Sequence, residues 1–395
     1  MIKKNIKTAI LLQSDLQNDA RVIRQANAAA EVGDITVFYV ATYTQRPAAL
    51  SGHVEIICVP YPKNRWQTIK KHMYIQREYD FLWKFIALHG IKYHKVIAND
   101  LPTLRSAIML KKKGLCQSLV YDAHEIYTET IKQFFPGQAE MSLLKRGIVK
   151  ILTQLMVSFG TYYEKKALKQ VDAMMTVNES LAGFFARKYK IKKPSVVRSI
   201  PATPLRKVQP VDLRKNFQWP GNSIILLYQG ALNPGRGIGT SIEALSHLPD
   251  NYKMVIIGDG PLKSSFEEMT EAMRLTDRIK FIGQVPNNQL ASYTQGADIG
   301  LCLIEPINLS KQFSLPNKIF EYIHAGIPVL GSDLPEIRQI ISQYRCGEAS
   351  SFDVNELVVQ IKKTHKNSYR DGIQEAQKAL KWENEKQKLL SILNH

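Results

Sequence analysis

The sequence predicts an α/β protein made of two Rossmann-like domains in tandem, facing one another across a cleft. Three observations carry that expectation. Short apolar runs alternate with stretches of helical periodicity along almost the whole chain, the pattern of parallel sheets joined by crossover helices. At 395 residues the chain is too long for one ordinary core. The alternation also pauses once, at Pro201, Pro204 and Pro210 followed by Asp212 to Asn216, a polar stretch that reads as a linker.

In the first half, strands are expected at 7–13, 35–41, 54–60, 95–98, 118–122, 173–177 and 195–199. Helical periodicity fills 19–32, 66–89, 101–113, 141–169 and 179–189. After the linker, strands are expected at 223–229, 253–257, 279–282, 299–303 and 327–331. Helices are expected at 238–247, 261–273, 287–296, 317–325 and 353–366, with a charged amphipathic helix closing the chain over about 371–394. Ligands in such folds bind beyond the carboxyl ends of the strands, so those ends are where chemistry is sought. The expected division is 1–205 and 206–374.

Composition narrows the class. Apolar content of 45% and charged content of 22% suit a globular chain, and no apolar stretch reaches the length of a spanning helix. The opening Met1-Ile2-Lys3-Lys4 leads into a short apolar run with no small-residue cleavage site, so a first strand is expected in place of a signal peptide. Cys58, Cys116, Cys302 and Cys346 show no metal-type spacing and read as free thiols of a reducing cytoplasm. Charge is uneven: residues 1–205 carry a net +16 and the remainder +2. No zinc-finger spacing or RNP-like strand accompanies the basic half, so nucleic acid is not an expected partner. An anionic membrane surface is preferred, because basic and apolar residues interleave in two segments, Lys63 to Tyr74 and Leu143 to Lys166. Core-packing helices with solvated basic faces are the competing account. The expected location is the cytoplasm, peripheral on the inner face of the plasma membrane.

The most informative run is Ser314-Leu315-Pro316-Asn317-Lys318-Ile319-Phe320-Glu321-Tyr322-Ile323-His324-Ala325-Gly326. It reads as a proline-opened helix closed by glycine, with an apolar strand directly after it. The free N–H groups of a helix start attract anions, Lys318 adds a full charge, and Glu321 offers two acceptors suited to a diol. Phosphate and diol together are what a nucleotide-sugar presents. Upstream, Gly230-Ala231-Leu232-Asn233-Pro234-Gly235-Arg236-Gly237 forms a glycine-rich strand-to-helix turn, in which Gly230 and Gly235 allow close backbone approach and Arg236 offers a fork matched to phosphate. Gly283-Gln284-Val285-Pro286 ends the third strand of that half, where backbone groups around Val285 could cover a nucleobase.

In the first half, Asp122-Ala123-His124-Glu125 sits at a strand's carboxyl end, where a neutral His124 could bond a sugar hydroxyl or a developing charge. Asn99-Asp100 ends another strand and equally suits a helix N-cap. Asp19 suits a cap of the first helix, while Arg21 could point into the cleft. There is no GxSxG elbow, HExxH, P-loop or Asp-x-Asp pair, so positive charge for a diphosphate falls to Arg236, Lys318 and the helix start at Pro316.

With these motifs in this order, the second half resembles a family-four GT-B glycosyltransferase, of the glycosyl transferase group 1 type. Asp19-x-Arg21, Asn99-Asp100-Leu101 and Asp122-Ala123-His124-Glu125 resemble that family's acceptor domain, and Lys381-Trp382-Glu383-Asn384-Glu385 its closing helix. The resemblance implies that helix 375–395 packs back on the first domain. It also implies retaining transfer from a nucleotide diphosphate-sugar without a metal or other cofactor, to a glycan or lipid-linked acceptor. Carried over by position, His124, Arg236 and Lys318 are the catalytic set. Gly230, Gly235, Arg236, Val285, Ser314, Leu315, Pro316, Lys318 and Glu321 bind the donor, with Glu321 on the ribose. Asp19, Arg21, Asn99, Asp100 and Glu125 lie on the acceptor side. Phe313 stands where many members have a second glutamate, Ala231 where they have an arginine, and Ser14 to Asn18 where they have a glycine pair. An epimerase of the same shape and a catalytically silent nucleotide-sugar-binding module are the alternatives.

Overall fold

A computed structural model describes residues 6–41, 45–60, 80–130, 142–201 and 208–394. The chain divides into two compact units, one of residues 1–199 with 385–395 and one of residues 200–384. The division thus falls just ahead of the proline-bearing stretch, and the segment from Glu385 belongs to the first unit.

Among the described residues the first unit holds strands β1 (Lys7–Leu12), β2 (Asp34–Ala41), β3 (Val54–Pro60), β4 (Tyr93–Asn99), β5 (Cys116–Ala123), β6 (Ala173–Thr176) and β7 (Ser195–Val196). They form one parallel sheet in the order β3-β2-β1-β4-β5-β6-β7. Helices α1 (Ala20–Ala29), α2 (Asp80–Leu88), α3 (Asp100–Lys112), α4 (Tyr127–Thr130), α5 (Leu143–Ala167) and α6 (Glu179–Tyr189) connect them. Strands buried on both faces explain their unbroken apolar runs: Ala9, Ile10 and Leu11 have no exposed surface, nor do Val96, Ile97 and Ala98. The direction of strand order reverses between β1 and β4, the crevice-forming point of such sheets. Register sets Asn99 beside Asp122 at the carboxyl ends there.

The second unit holds α7 (Leu213–Asn216), β8 (Ile224–Gln229), α8 (Ile238–Ser246), β9 (Tyr252–Ile257), α9 (Lys263–Ala272), β10 (Ile279–Gly283), α10 (Asn287–Gln295), β11 (Ile299–Cys302), α11 (Leu309–Gln312), α12 (Asn317–Ala325), β12 (Val329–Ser332), α13 (Pro335–Tyr344), β13 (Gly347–Ser350), α14 (Val354–Lys366) and α15 (Arg370–Ala379). Its parallel sheet runs β10-β9-β8-β11-β12-β13, with its reversal between β8 and β11. The last helix, α16 (Trp382–Asn394), passes from this unit into the first. There Leu389 and Leu393 are buried, Glu385 accepts from the Arg198 N–H at 2.8 Å, and buried Lys95 donates to the carbonyls of Ile392 and Leu393 at 3.3 and 2.6 Å. Lys95 therefore satisfies the helix's terminal acceptors.

Three expectations are corrected. Asp212 to Asn216 is not linker: Asp212 caps α7 through the Lys215 N–H, and Leu213 is fully buried in the core of the second unit. The closing stretch is two helices, broken at Leu380, whose side chain is buried and whose carbonyl meets His324 Nε2 at 2.8 Å. Helix α13 and strand β13 lie where no element was expected. The expected helix over 66–89 is described only from Asp80, and the basic segment Lys63 to Tyr74 lies outside the described residues.

Two loops at the carboxyl ends of β8 and β9 lie in backbone contact. Gly258, at φ 138°, donates its N–H to Gly283 O at 2.8 Å, and Gly230 donates to Ile257 O at 2.9 Å. A Cβ on Gly258 would stand 2.0 Å from the Gly230 carbonyl oxygen. Gly258→Ala is therefore expected to destabilise the second unit by about 3 kcal/mol, from the strained φ and the clash together. Urea unfolding followed by fluorescence checks this; a loss under about 0.5 kcal/mol would mean the loops part freely.

Candidate functional site

The second unit's polar groups converge where β8 and β11 meet α12, and Tyr322 is what fixes them. Its ring lies against Gly300 on β11, where any Cβ would stand 2.3 Å from a ring carbon. Its hydroxyl is 3.2 Å from the carbonyls of Leu227 and Leu301, and it also receives the Gln229 N–H at 3.2 Å. Locking the helix at Tyr322 locks Lys318, one turn earlier on the same face, and the adjacent Glu321. Pro316 is the N-cap residue, one position before the expected helix start, and no side chain caps the helix. Its first-turn N–H groups thus remain available to an anion. Gly326, at φ 85°, ends the helix as expected.

Lys318 is 7% exposed and its Nζ has no hydrogen-bond partner. It sits 3.6 Å from the centroid of the Tyr228 ring, a cation–π contact. Gly230 flanks it: a Cβ there would lie 3.6 Å from Nζ. Burial, joined by the charge of Arg236, pulls the amine down to about 7, against the opposing pull of Glu321 and Cys302. Arg236 lies partly buried in the turn between β8 and α8 and forms no salt bridge among the described residues. Two cationic side chains without a carboxylate ion pair therefore stand near one helix start.

Glu321 is oriented by a chain of hydrogen bonds: Gln229 Nε2 donates to its Oε2, and Gln229 Oε1 accepts from Thr294 Oγ1 at 2.9 Å. Neither Gln229, Thr294 nor Tyr322 was singled out from sequence. The position of Gln229 directly before Gly230 was the available signal. Of the remaining expected donor residues, Gly235 is buried in the turn, Leu315 and Val285 pack partly buried against the core, and the Ser314 hydroxyl donates to Lys311 O at 2.8 Å. Phe313 ends α11.

In the first unit the centre is Asp122, which is fully buried. Arg21 grips it with Nε to Oδ2 at 3.1 Å and Nη2 to Oδ1 at 2.8 Å, and gives its third bond to Val197 O at 2.8 Å. Gln25 adds a bond at 2.9 Å. Burial alone would raise this carboxyl, but Arg21 and His124 outweigh it and hold Asp122 well below the usual carboxylate range. His124 Nε2 is 3.0 Å from Asp122 Oδ2 and Nδ1 is 3.4 Å from Asp100 Oδ2. Its backbone N–H donates to Asp100 Oδ1 at 2.9 Å. Burial disfavours the imidazolium, but Asp100 and Asp122 override it and push His124 up to about 10. Both carboxylates thus favour the imidazolium over the neutral form expected from sequence.

Asp100 adopts φ 58°, a strained conformation for a non-glycine residue that aims its carboxylate at His124. Asn99 does not cap α3; buried, it donates to Leu11 O at 3.2 Å. Asp19 caps α1 through the Val22 N–H at 2.9 Å. Arg21 spends its guanidinium on Asp122 and Val197. Glu125 lies partly buried on the turn after His124. Among the described residues no cluster of His, Cys, Asp and Glu could hold a metal ion, and no helix is long and apolar enough to cross a membrane.

Residues 211–387 match the model of the family "Glycosyl transferases group 1". A glycosyltransferase of Bacillus subtilis named for teichuronic acid biosynthesis is 27% identical over 134 residues, which are 34% of this chain and 31% of that protein. The chain thus covers about a third of that relative. Among solved structures, sucrose-phosphate synthase from Thermosynechococcus elongatus superposes with TM-score 0.73 at 17% identity, covering 98% of both chains. Anabaena HepE, solved in complex with UDP and glucose, gives 0.71 at 14% identity over 98% of this chain and 99% of its own. The shared fold is the α/β, two-domain GT-B architecture.

Because the folded pKa of His124 is raised, its stabilisation is complete below the ordinary imidazole value of about 6.5. It is lost as pH rises through about 10. Proton NMR should find the imidazole still charged at pH 8, and Asp100→Asn should lower its pKa by about one unit or more. An ordinary imidazole titration in the parent protein would overturn the assignment.

Proposed function

We propose, from the premise that residues 211–387 are a glycosyl transferases group 1 domain, that the protein moves a sugar from a nucleotide diphosphate-sugar to a hydroxyl of a glycan or lipid-linked acceptor, with retention of configuration. The observation that carries this is the pairing of an unpartnered buried amine, Lys318, with a carboxylate, Glu321, held in place by Gln229. As the donor's bond to its diphosphate breaks, negative charge grows on the leaving oxygens. Arg236, Lys318 and the uncapped start of α12 would meet that charge, the electrostatic term that dominates many enzymes' acceleration. Glu321 would accept from the ribose hydroxyls, and backbone groups near Val285 would cover the base. The acceptor hydroxyl attacks from the face the leaving group departs and passes its proton to the departing diphosphate oxygen, so no protein nucleophile is required, and the cations named above take the place of a metal. HepE, with its UDP and glucose, supports a nucleotide-sugar donor. The name of the Bacillus relative, which refers to teichuronic acid biosynthesis, supports a glycan product, and the reaction is proposed to run at the cytoplasmic membrane face.

In the first unit, His124 acts as an imidazolium toward substrate oxygens, with Asp100 and Glu125 beside it. Asp122, itself gripped by Arg21, sets it in place from behind, and Asn99 and Asp19 lie on the same acceptor side. An epimerase would need a group free to give and take protons. A histidine held charged between two carboxylates is poorly suited to that work.

Nucleotide-sugars incubated with the protein and membrane lipid extract should release nucleoside diphosphate only when acceptor is present. Isomerised donor without acceptor would favour the epimerase, and binding without either would favour a silent module. Arg236→Ala should slow turnover about 100-fold, and near-normal rates would remove it from the diphosphate. Glu321→Ala should weaken UDP binding about tenfold; unchanged affinity would cancel its ribose role.

Lys318 adds a pH signature. An anion beside its amine restores the charge, so binding of a UDP-sugar, whose phosphates do not titrate near neutrality, should take up close to one proton at pH 8 and almost none at pH 6. Affinity then falls as pH rises above about 7. Calorimetry in buffers of different ionisation heat reads this directly, and no buffer dependence at pH 8 would show the amine already charged.

A further inference from the structure

Helix α5 turns one face inward and, among the described residues, leaves the side chains of another exposed. Thr153, Gly160, Glu164 and Ala167 are buried, and Glu164 anchors the inner face. Tyr121 donates to its Oε1 at 2.8 Å and Tyr189 to its Oε2. On the opposite side Ile148, Ile151, Leu152, Leu155, Phe159 and Tyr162 are each between 46% and 63% exposed. Their spacing of three and four residues puts them on one stripe, about 21 Å long at 1.5 Å per residue. Scattered exposed apolar residues are ordinary, but six in one stripe are not.

The charge on this helix is one-sided. Arg146, Lys150, Lys165 and Lys166 are exposed, and Lys166 Nζ lies 4.7 Å from the Tyr162 ring centroid. The helix carries one carboxylate, Glu164, which is buried and bonded to the two tyrosines. The helix itself therefore places no carboxylate on its outer face beside Lys150, Lys165 and Lys166. A second copy of a chain with net charge +18 would bring like charges against them. An anionic lipid surface offers instead an apolar layer for the stripe and phosphates for the cations, with the tyrosine at the boundary depth.

We propose that the outer face of helix α5 is a membrane-docking surface, in which Ile151, Leu155 and Phe159 enter the lipid and Lys150, Lys165 and Lys166 engage anionic headgroups. The geometry stands apart from the donor chemistry and would hold whatever the transferred sugar. It also gives the preference for a membrane partner a definite address in the second of the two segments picked out from sequence.

The test uses the full chain and vesicles of phosphatidylcholine with or without about one-third phosphatidylglycerol. The parent protein should sediment with the anionic vesicles and not the neutral ones, and release as salt rises from about 0.1 M to about 0.5 M. The triple variant Ile151→Gln, Leu155→Gln, Phe159→Gln should lose vesicle affinity about tenfold or more while keeping the parent's thermal unfolding, since all three side chains are exposed. Lys150→Glu with Lys165→Glu should lose the preference for anionic lipid. Equal binding to neutral vesicles, or undiminished binding by the folded triple variant, overturns the proposal. So does a dimer in sedimentation velocity that the triple variant abolishes with no change in vesicle binding, which would assign the face to a second copy. If the triple variant fails to fold, the double charge variant decides alone: unchanged anionic preference overturns the proposal.

Discussion

The second unit is organised around a buried amine that nothing in the protein bonds. Desolvating Lys318 without a hydrogen-bond partner costs free energy, which the face of Tyr228 and the nearby Glu321 offset only in part. That cost persists because Tyr322, pinned to β8 and β11 against Gly300, leaves the helix no room to withdraw the side chain. Asp122 in the first unit shows the contrary case. It is equally buried, yet Arg21, Gln25 and His124 surround it, so it has no capacity left for a ligand. One buried charge is held incomplete and the other complete. The incomplete one marks a binding site, and the complete one serves as a post on which His124 is mounted.

Much of this was legible in the residues themselves. The alternation of apolar runs and helical periods located the strands it found to within a residue or two, apart from the short Ser195–Val196, because a parallel sheet buried on both faces demands such runs. The turn glycines and the helix from Asn317 to Ala325 were equally readable, since both rest on local backbone chemistry. What escaped was set by contacts distant in sequence. Gln229 orients Glu321 across 92 residues, and Arg21 meets Asp122 across 101. No local pattern signals either pairing. The second carboxylate beside His124 was hidden for the same reason: Asp122 was visible two residues away, but Asp100 reaches it only through the fold. Leu380 is similar. Helical periodicity runs through it, and only burial of its side chain explains the break.

Strand β13 and helix α13 went unseen for a different reason. Gly347-Glu348-Ala349-Ser350 has almost no β propensity and is a strand because β12 offers it a ladder. Such an element is specified by its neighbour.

The path of α16 has a consequence for how the molecule is made. The first unit's core includes Leu389 and Leu393, and Lys95 on β4 closes on carbonyls almost 300 residues further along. Residues 200–384 are thus inserted into a unit that begins before them and is finished after them. On a ribosome, domains fold as they emerge. Here the inserted unit can close on itself first, while the earlier one must wait, its sheet assembled but its last helix missing, until the chain has passed through its neighbour and returned. The first half of the sequence is then the last part of the protein to mature.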